Sequence, residues 1–268
     1  MKKTLLALCL GLTGLLTLTG CSVDNSTSNS PVIKIGATSD PHANILKVVK
    51  PILAEQGIEL DIQVIDDYQL LNRALNDGEI DANFFQHVPF LEEQIASGGY
   101  DIVEFGKVHI EPLGVYSDKI TTLEEIKDGA TIAVPNDATN EARALALLHK
   151  YGVIKLDDPT NLSATVINIV ENPKNITFHE IDAAMLARTL PDVDAAVINT
   201  NYALSASLNP LEDALALEES DSPYANILAI RSQDVERSEL KALQAAITSD
   251  TVREFIETEY QGAVIPVF

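Results

Sequence analysis

The sequence predicts an α/β protein built as two similar lobes that face each other across a cleft. Three observations carry that expectation. From residue 32 onward short β-rich runs alternate with helical stretches, and the same rhythm restarts after residue 117. The two halves also echo each other: Glu79-Ile80-Asp81-Ala82 and Asp192-Val193-Asp194-Ala195 each follow a helical stretch and lead a strand toward a polar, Asn-containing end. Ligands of α/β sheets gather outside the carboxyl ends of strands, and clefts between lobes are preferred small-molecule sites.

The first half opens with a strand over 31–38, where Val32, Ile33 and Ile35 precede a glycine turn. Asp40 and Pro41 supply a helix cap and a first-turn proline for a helix across 43–55, which Pro51 is expected to kink or divide. A strand at 60–66, a helix at 68–77, a strand at 79–85, a short helix at 88–97 and strands at 101–105 and 112–117 follow. After the restart, Thr122-Leu123-Glu124-Glu125 reads as a capping box. A strand over 130–137 leads into a helix over 139–152 that Gly152 closes. A loop at 155–164 precedes strands at 164–170 and 175–181, a helix at 182–190, a strand at 192–200 and a short helix at 201–208. A strand at 225–232 and helices near 236–248 and 250–259 finish the chain.

Composition narrows the function classes. The chain has 268 residues, 46% hydrophobic and 22% charged, long enough for two lobes that each bury a core. The charge is one-sided: 18 Lys+Arg against 40 Asp+Glu give a formal net charge of -22. Such a surface repels phosphate backbones, so nucleic acid is not expected as a partner. Its ordinary consequence is solubility. Any anionic ligand group must then meet a local positive charge set against the global field.

The amino terminus reads as a targeting segment. Lys2 and Lys3 precede a short apolar run over 4–17, too short for a comfortable membrane span, and Leu18-Thr19-Gly20-Cys21 follows. Leu-x-Gly-Cys at this place resembles the bacterial lipobox, which implies removal of residues 1–20 and lipidation of Cys21. Cys9 leaves with the signal, so one mature chain has no pair of thiols for a disulfide or a zinc–thiolate site. Residues 21–31 read as the anchored cysteine and a polar flexible tether. The sequence thus describes a body leashed to a bacterial membrane on the extracytoplasmic side.

Catalytic machinery has no support. The chain has no G-x-S-x-G elbow, S-x-x-K, G-x-x-x-x-G-K-[ST] or G-x-G-x-x-G. Its five histidines, His42, His87, His109, His149 and His179, have no compact metal-ligand spacing. No cofactor, metal or enzymatic activity is therefore expected, and only distant histidines brought together by the fold would supply a metal site. Forty acids make a carboxylate pair uninformative.

What remains is a binding constellation. Tyr68, Phe84, Phe85, His87 and Phe90 cluster in a chain with only 5% aromatics. Strand alternation sends Phe84 and Phe85 to opposite faces, one to the core and one to the cleft. His87 stands at a strand-to-helix turn, an exposed place that core histidines seldom occupy. A second piece is Pro135–Arg143, a strand end followed by a helix first turn with free N–H groups, where the planar fork of Arg143 suits a carboxylate. The alternative for Arg143 is a surface ion pair with Glu141 or another acid. A third piece is Asn199-Thr200-Asn201-Tyr202, whose amides both donate and accept.

Together IDANFFQHVPFLE, EPLGVYS, TIAVPNDATNEARALALL, VINTNYA and SPYANILAIR resemble the MetQ/NlpA lipoprotein group, the methionine-binding lipoproteins of bacterial ABC importers. The matching stretches run in family order across 32–268. The resemblance implies a periplasmic-binding-protein-like fold, with a hinge near 112–118 and 228–234. Lobe 1 then spans 32–116 plus 230–268, and lobe 2 spans 117–229. It further implies that Tyr68, Phe85, His87 and Phe90 surround a thioether and that Arg143 pairs with the ligand carboxylate. Asn201 and Asn226 hold the head group with Tyr202 and Tyr224 nearby, assisted by Asn136 and Asn140. The implied partners are L-methionine (with D-methionine or derivatives open), an ABC permease and its ATPase, and the membrane through Cys21. Two positions depart from the family pattern: Phe90 stands where Tyr is common, and Leu71 where Pro is common before Asn72. Two rival readings stay open: the same fold for another apolar amino acid or a dipeptide, and a surface lipoprotein acting through protein contacts.

Overall fold

In this computed structural model the described residues are 30–220 and 223–268. The expected signal segment, Cys21 and most of the tether lie outside them. Among the described residues no helix is long and apolar enough to cross a membrane.

The chain enters its first lobe through β1 (Val32–Ala37), α1 (Asn44–Ala54), β2 (Glu59–Val64), α2 (Tyr68–Asn76), β3 (Ala82–His87), α3 (Val88–Gly98) and β4 (Ile102–Ile110). It crosses into β5 (Gly114–Tyr116), β6 (Thr131–Pro135), α4 (Ala138–Lys150), β7 (Lys155–Leu156), β8 (Ile169–Glu171) and β9 (Thr177–Ile181). The second lobe is completed by α5 (Leu186–Thr189), β10 (Ala195–Ile198), α6 (Thr200–Ser205), α7 (Pro210–Asp213) and β11 (Ala216–Leu217). The chain then returns as β12 (Ala225–Arg231), α8 (Ser238–Ile247), α9 (Asp250–Tyr260) and β13 (Ile265–Pro266).

The first sheet runs β13-β4-β12-β3-β1-β2, with β1 parallel to β2 and β3 and β12 antiparallel between β3 and β4. The second runs β11-β5-β10-β6-β9, parallel across β10, β6 and β9 and antiparallel at β5 and β11. This is the two-lobe α/β architecture expected from the alternation of runs. Each sheet is apolar on both faces. In the first, Phe84 packs with Ile35, Leu46 and Leu243 on one face, and Phe85 with Leu71, Phe90 and Ile227 on the other. The second sheet likewise buries Val134 and Leu145 on one face and Ile198 and Leu186 on the other. Close packing leaves no slack at Gly36, where an added Cβ would lie 2.6 Å from Leu71 Cδ2.

Sheet membership moves the expected lobe boundaries. Gly114–Tyr116 pairs with β10, so the first crossing comes before residue 114 rather than at 116–117. Ala225–Arg231 pairs with β3 and β4, so the return is complete before residue 225 rather than at 229–230. Both are short apolar runs that fit either sheet, and hydrophobic pattern alone does not assign them.

Three local expectations also change. Asp40 does not cap a helix: it is extended, its carboxylate accepts from the Tyr260 hydroxyl at 2.7 Å, and α1 begins at Asn44. Pro51 sits on the exposed side of α1 without dividing it. The Thr122 box yields only a single 3-10 turn at Leu123–Glu125, where the Glu125 carboxylate accepts from the Thr121 N–H.

Candidate functional site

Where the lobes meet, a small cavity lies between the carboxyl end of β3 and the amino ends of α4 and α6. The lobes are in contact around it: the Tyr202 hydroxyl donates to Asp66 O at 2.7 Å, and the Tyr68 hydroxyl to Asn201 Oδ1 at 2.6 Å.

The first-lobe wall is made of Tyr68, Phe85, Gln86, His87 and Phe90, with Asn226 from β12 beside them. Alternation along β3 turns Phe85 and His87 the same way and Phe84 into the core. The rings brace one another, with Tyr68 5.5 Å from Phe85 and 5.8 Å from Phe90, and Phe85 5.9 Å from Phe90. Behind them Gln86, Asn72 and Asn83 exchange amide hydrogen bonds of 2.7–3.0 Å, which fixes the strand from which Phe85 and His87 project.

His87 is buried, 5% exposed, contrary to the expected exposed turn. It ends β3 and caps α3: its Nδ1 accepts from the Phe90 N–H at 3.1 Å. Its proton therefore sits on Nε2, which donates to Asn140 Oδ1 at 3.2 Å across the cleft. Burial, and then the charge of Arg143, pull its pKa down to about 3, so it is a neutral wall.

The second-lobe wall is polar: Asn140 and Arg143 from α4, and Asn199, Thr200 and Asn201 at the start of α6. Asp137 caps α4 and takes both the N–H and the side-chain amide of Asn140, so the Asn140 N–H is not free for a ligand. Asn140 Oδ1 then also accepts from Asn199 Nδ2 at 2.8 Å. These bonds leave Asn199 Oδ1 and Asn201 Nδ2 buried with no partner, one acceptor and one donor. Unpaired buried polar atoms are costly, and two on one cavity wall mark a polar ligand.

Arg143 is 3% exposed, so its ion pair is buried rather than on the surface, and its partner is Glu218 rather than Glu141. Its Nε and Nη2 engage Glu218, and Nη2 also donates to Glu111 O at 2.7 Å. Its guanidinium lies 4.3 Å from the Tyr224 ring. Burial opposes the charge, and the Glu218 carboxylate outweighs it, so the cation is secure. Among the described residues Nη1 has no protein partner, which leaves one nitrogen of the fork for a ligand.

Of the residues the sequence nominated, Tyr68, Phe85, His87, Phe90, Asn140, Arg143, Asn201 and Asn226 line the cavity. Tyr202 and Tyr224 stand behind it, with ring centres 5.0 Å from Tyr68 and 4.9 Å from His87. Asn136 does not belong: it is exposed, and its N–H is spent on Ile181 O at the end of β9. Sequence reasoning missed Gln86 and Glu111, and it named Asn199 and Thr200 only as part of the polar stretch around Asn201; Glu111 carried no local signal.

The scattered histidines also conceal a cluster. His42 and His109, which are 67 positions apart in the chain, converge on Glu111, with ligand atoms within 4.8 Å of one another. Spacing of that kind suits a metal ion. Here His109 Nε2 lies 2.7 Å and His42 Nε2 3.2 Å from Glu111 Oε1, while Thr38 and Asn226 complete His42. Hydrogen bonds within the set engage Glu111 Oε1 and both His42 nitrogens, while His109 Nδ1 is buried without a partner.

Comparison with known proteins finds relatives over nearly the whole chain. A structure of a nutrient binding protein from Burkholderia cenocepacia bound to methionine superposes with a TM-score of 0.86 at 46% identity, covering 88% of this chain and all of that one. The methionine-binding lipoprotein MetQ of Bacillus subtilis (strain 168) is 40% identical over 273 residues, 100% of this chain and 99% of the relative. The D-methionine-binding lipoprotein MetQ of Escherichia coli (strain K12) is 38% identical over 257 residues, 95% of this chain and 94% of the relative. The family model described as NlpA lipoprotein matches residues 33–268. The chain belongs to the NlpA lipoprotein family.

Proposed function

We propose that this chain is a lipid-anchored solute-binding protein that captures L-methionine and delivers it to an ABC permease and its ATPase. The observation that carries this reading is the division of one small cavity into an aromatic wall and a wall with a guanidinium and two orphaned amide atoms. A ligand that fits both has an unbranched apolar tail and a charged polar head. Tyr68, Phe85, His87 and Phe90 take the thioether, where sulfur–ring contacts add about 0.3–1.5 kcal/mol each beyond burial. Arg143 and Asn201 donate to the carboxylate, while Asn199 and Asn226 complete the head-group site. The family's relatives that carry methionine in their names support the choice of side chain.

Delivery follows from closure: the ligand is enclosed by contacts between lobes, and the closed form is what a permease reads. Lipidation of Cys21 would hold the body at the membrane and needs no catalytic role for the cavity. Mass spectrometry of the protein purified without denaturation tests the ligand. Retained methionine supports the reading; a different retained molecule, or a thermal shift with leucine and none with methionine, overturns it.

A further inference from the structure

Glu111 supplies the one carboxylate among the described residues that line the cavity, and it sits on the first crossing between lobes. We propose that Glu111 is the counter-ion of the ligand's ammonium group, and that it selects amino acids against acids of the same shape that lack one. The inference rests on the amino-acid reading above.

Four observations carry it. The side chain is buried, yet its Oε1 accepts from His109 Nε2 at 2.7 Å and faces His42 Nε2 at 3.2 Å. Burial raises the Glu111 pKa, so an ionised Glu111 calls for a cation beside it, and the charge of Arg143 and the Asn201 backbone N–H both favour that ionised form. A carboxylate offers about four acceptor positions, so these three donors leave one for the cavity.

Second, the histidines are donors without charge. His42 Nε2 faces two oxygen acceptors, Glu111 Oε1 at 3.2 Å and Asn226 Oδ1 at 3.1 Å, which places the proton on Nε2 and lets the Thr38 hydroxyl donate to Nδ1 at 2.7 Å. Neutral N–H groups orient a carboxylate without supplying a counter-charge, and the nearby cation, Arg143, is already paired with Glu218.

Third, the site's own charges are tied together. Arg143 Nη2 donates to the carbonyl oxygen of Glu111 itself at 2.7 Å. The guanidinium is thus held at the residue that carries the carboxylate, and the two opposite charges act on each other beside one cavity. Fourth, Arg143 is already paired with Glu218. A ligand with a carboxylate and no ammonium would add a further negative charge to a site that holds two carboxylates and one guanidinium. A zwitterion adds none.

The test pairs a change in the protein with a change in the ligand. Calorimetry compares L-methionine with its α-hydroxy acid analogue, in which a hydroxyl replaces the ammonium, on the unmodified protein and on Glu111→Gln. The unmodified protein is expected to prefer L-methionine by roughly 10- to 100-fold, the equivalent of one charge-assisted hydrogen bond. In Glu111→Gln that preference should shrink to within about threefold, because the loss falls on the ammonium ligand. Equal losses for both ligands, or an unchanged preference, overturn the role of Glu111. Where the variant fails to fold, the unmodified protein still decides: equal affinity for the two ligands overturns the proposal. Failure of the unmodified protein to bind either ligand would instead remove the amino-acid reading.

Discussion

The two walls of the cavity solve opposite problems. The first-lobe wall is complete without a ligand: its rings pack on one another, and the amides behind them are mutually paired. The second-lobe wall is incomplete, with Asn199 Oδ1 and Asn201 Nδ2 buried and unpaired and one Arg143 nitrogen uncommitted. The aromatic side thus offers shape and apolar area, which discriminates weakly between tails of similar length. The amide side carries unmet hydrogen-bonding demand, which rejects any ligand that cannot meet it. Affinity should therefore be more sensitive to changes in the second wall than to conservative changes in the first.

Arg143→Ala should show the largest effect. Truncating one partner of a buried charge pair costs about 2–5 kcal/mol, a loss of roughly 30-fold to several thousand-fold in methionine affinity. Calorimetry at near wild-type affinity would remove Arg143 from the site. Because Glu218 loses its partner in the same variant, the thermal midpoint should also fall.

The histidines give a pH effect. His42 is drawn down to about 4, chiefly by burial, and His87 and His109 to about 3 for the same reason. Unfolded histidine titrates near 6.5, so between about pH 6.5 and 4 the unfolded chain binds more protons than the fold. Stability should fall as pH drops through that window, by up to about 1.4 kcal/mol per pH unit for each histidine. Burial raises Glu111 and Glu141, which titrate in the opposite sense and blunt the slope. Denaturant unfolding at several pH values checks the sign; flat stability from neutrality to pH 5 would contradict it.

Asn201→Ala removes both a ligand donor and the acceptor of the Tyr68 hydroxyl, and should weaken binding by about 1–3 kcal/mol. Asn136→Ala, close in sequence to Asn140 but outside the cavity, should leave affinity unchanged. Equal effects in the two variants would break the contrast between wall and surface. The smallest change is expected from Tyr202→Phe, which loses the bond to Asp66 O between the lobes and should weaken closure by about 0.5–1.5 kcal/mol. Small-angle scattering with and without methionine would show a less complete compaction.

The rhythm of the sequence made the lobes legible because helices and strands keep distinct hydrophobic periods. The aromatic wall was legible for a related reason: strand alternation along β3 separates Phe84 from Phe85 within one short stretch. The head-group wall was only half readable. Asn201 and Arg143 stood in polar turns, but which amide atoms remain unpaired depends on contacts such as Asn140 with Asn199, 59 positions apart. Glu111 and its two histidines were hidden altogether, since the turn after β1 and the end of β4 come together only in the folded chain. The crossings were misplaced for the complementary reason: β5 and β12 look alike in sequence and differ only in which sheet they join.

The central claim is that one cavity reads an apolar tail with one lobe and an amino-acid head with the other. Calorimetric titration of the protein, after unfolding and refolding to remove retained ligand, with L-methionine tests it most directly. The account predicts saturable binding of one methionine per chain that Arg143→Ala abolishes or weakens at least about 30-fold. Absence of binding to the refolded protein, or binding that survives that substitution intact, would contradict it.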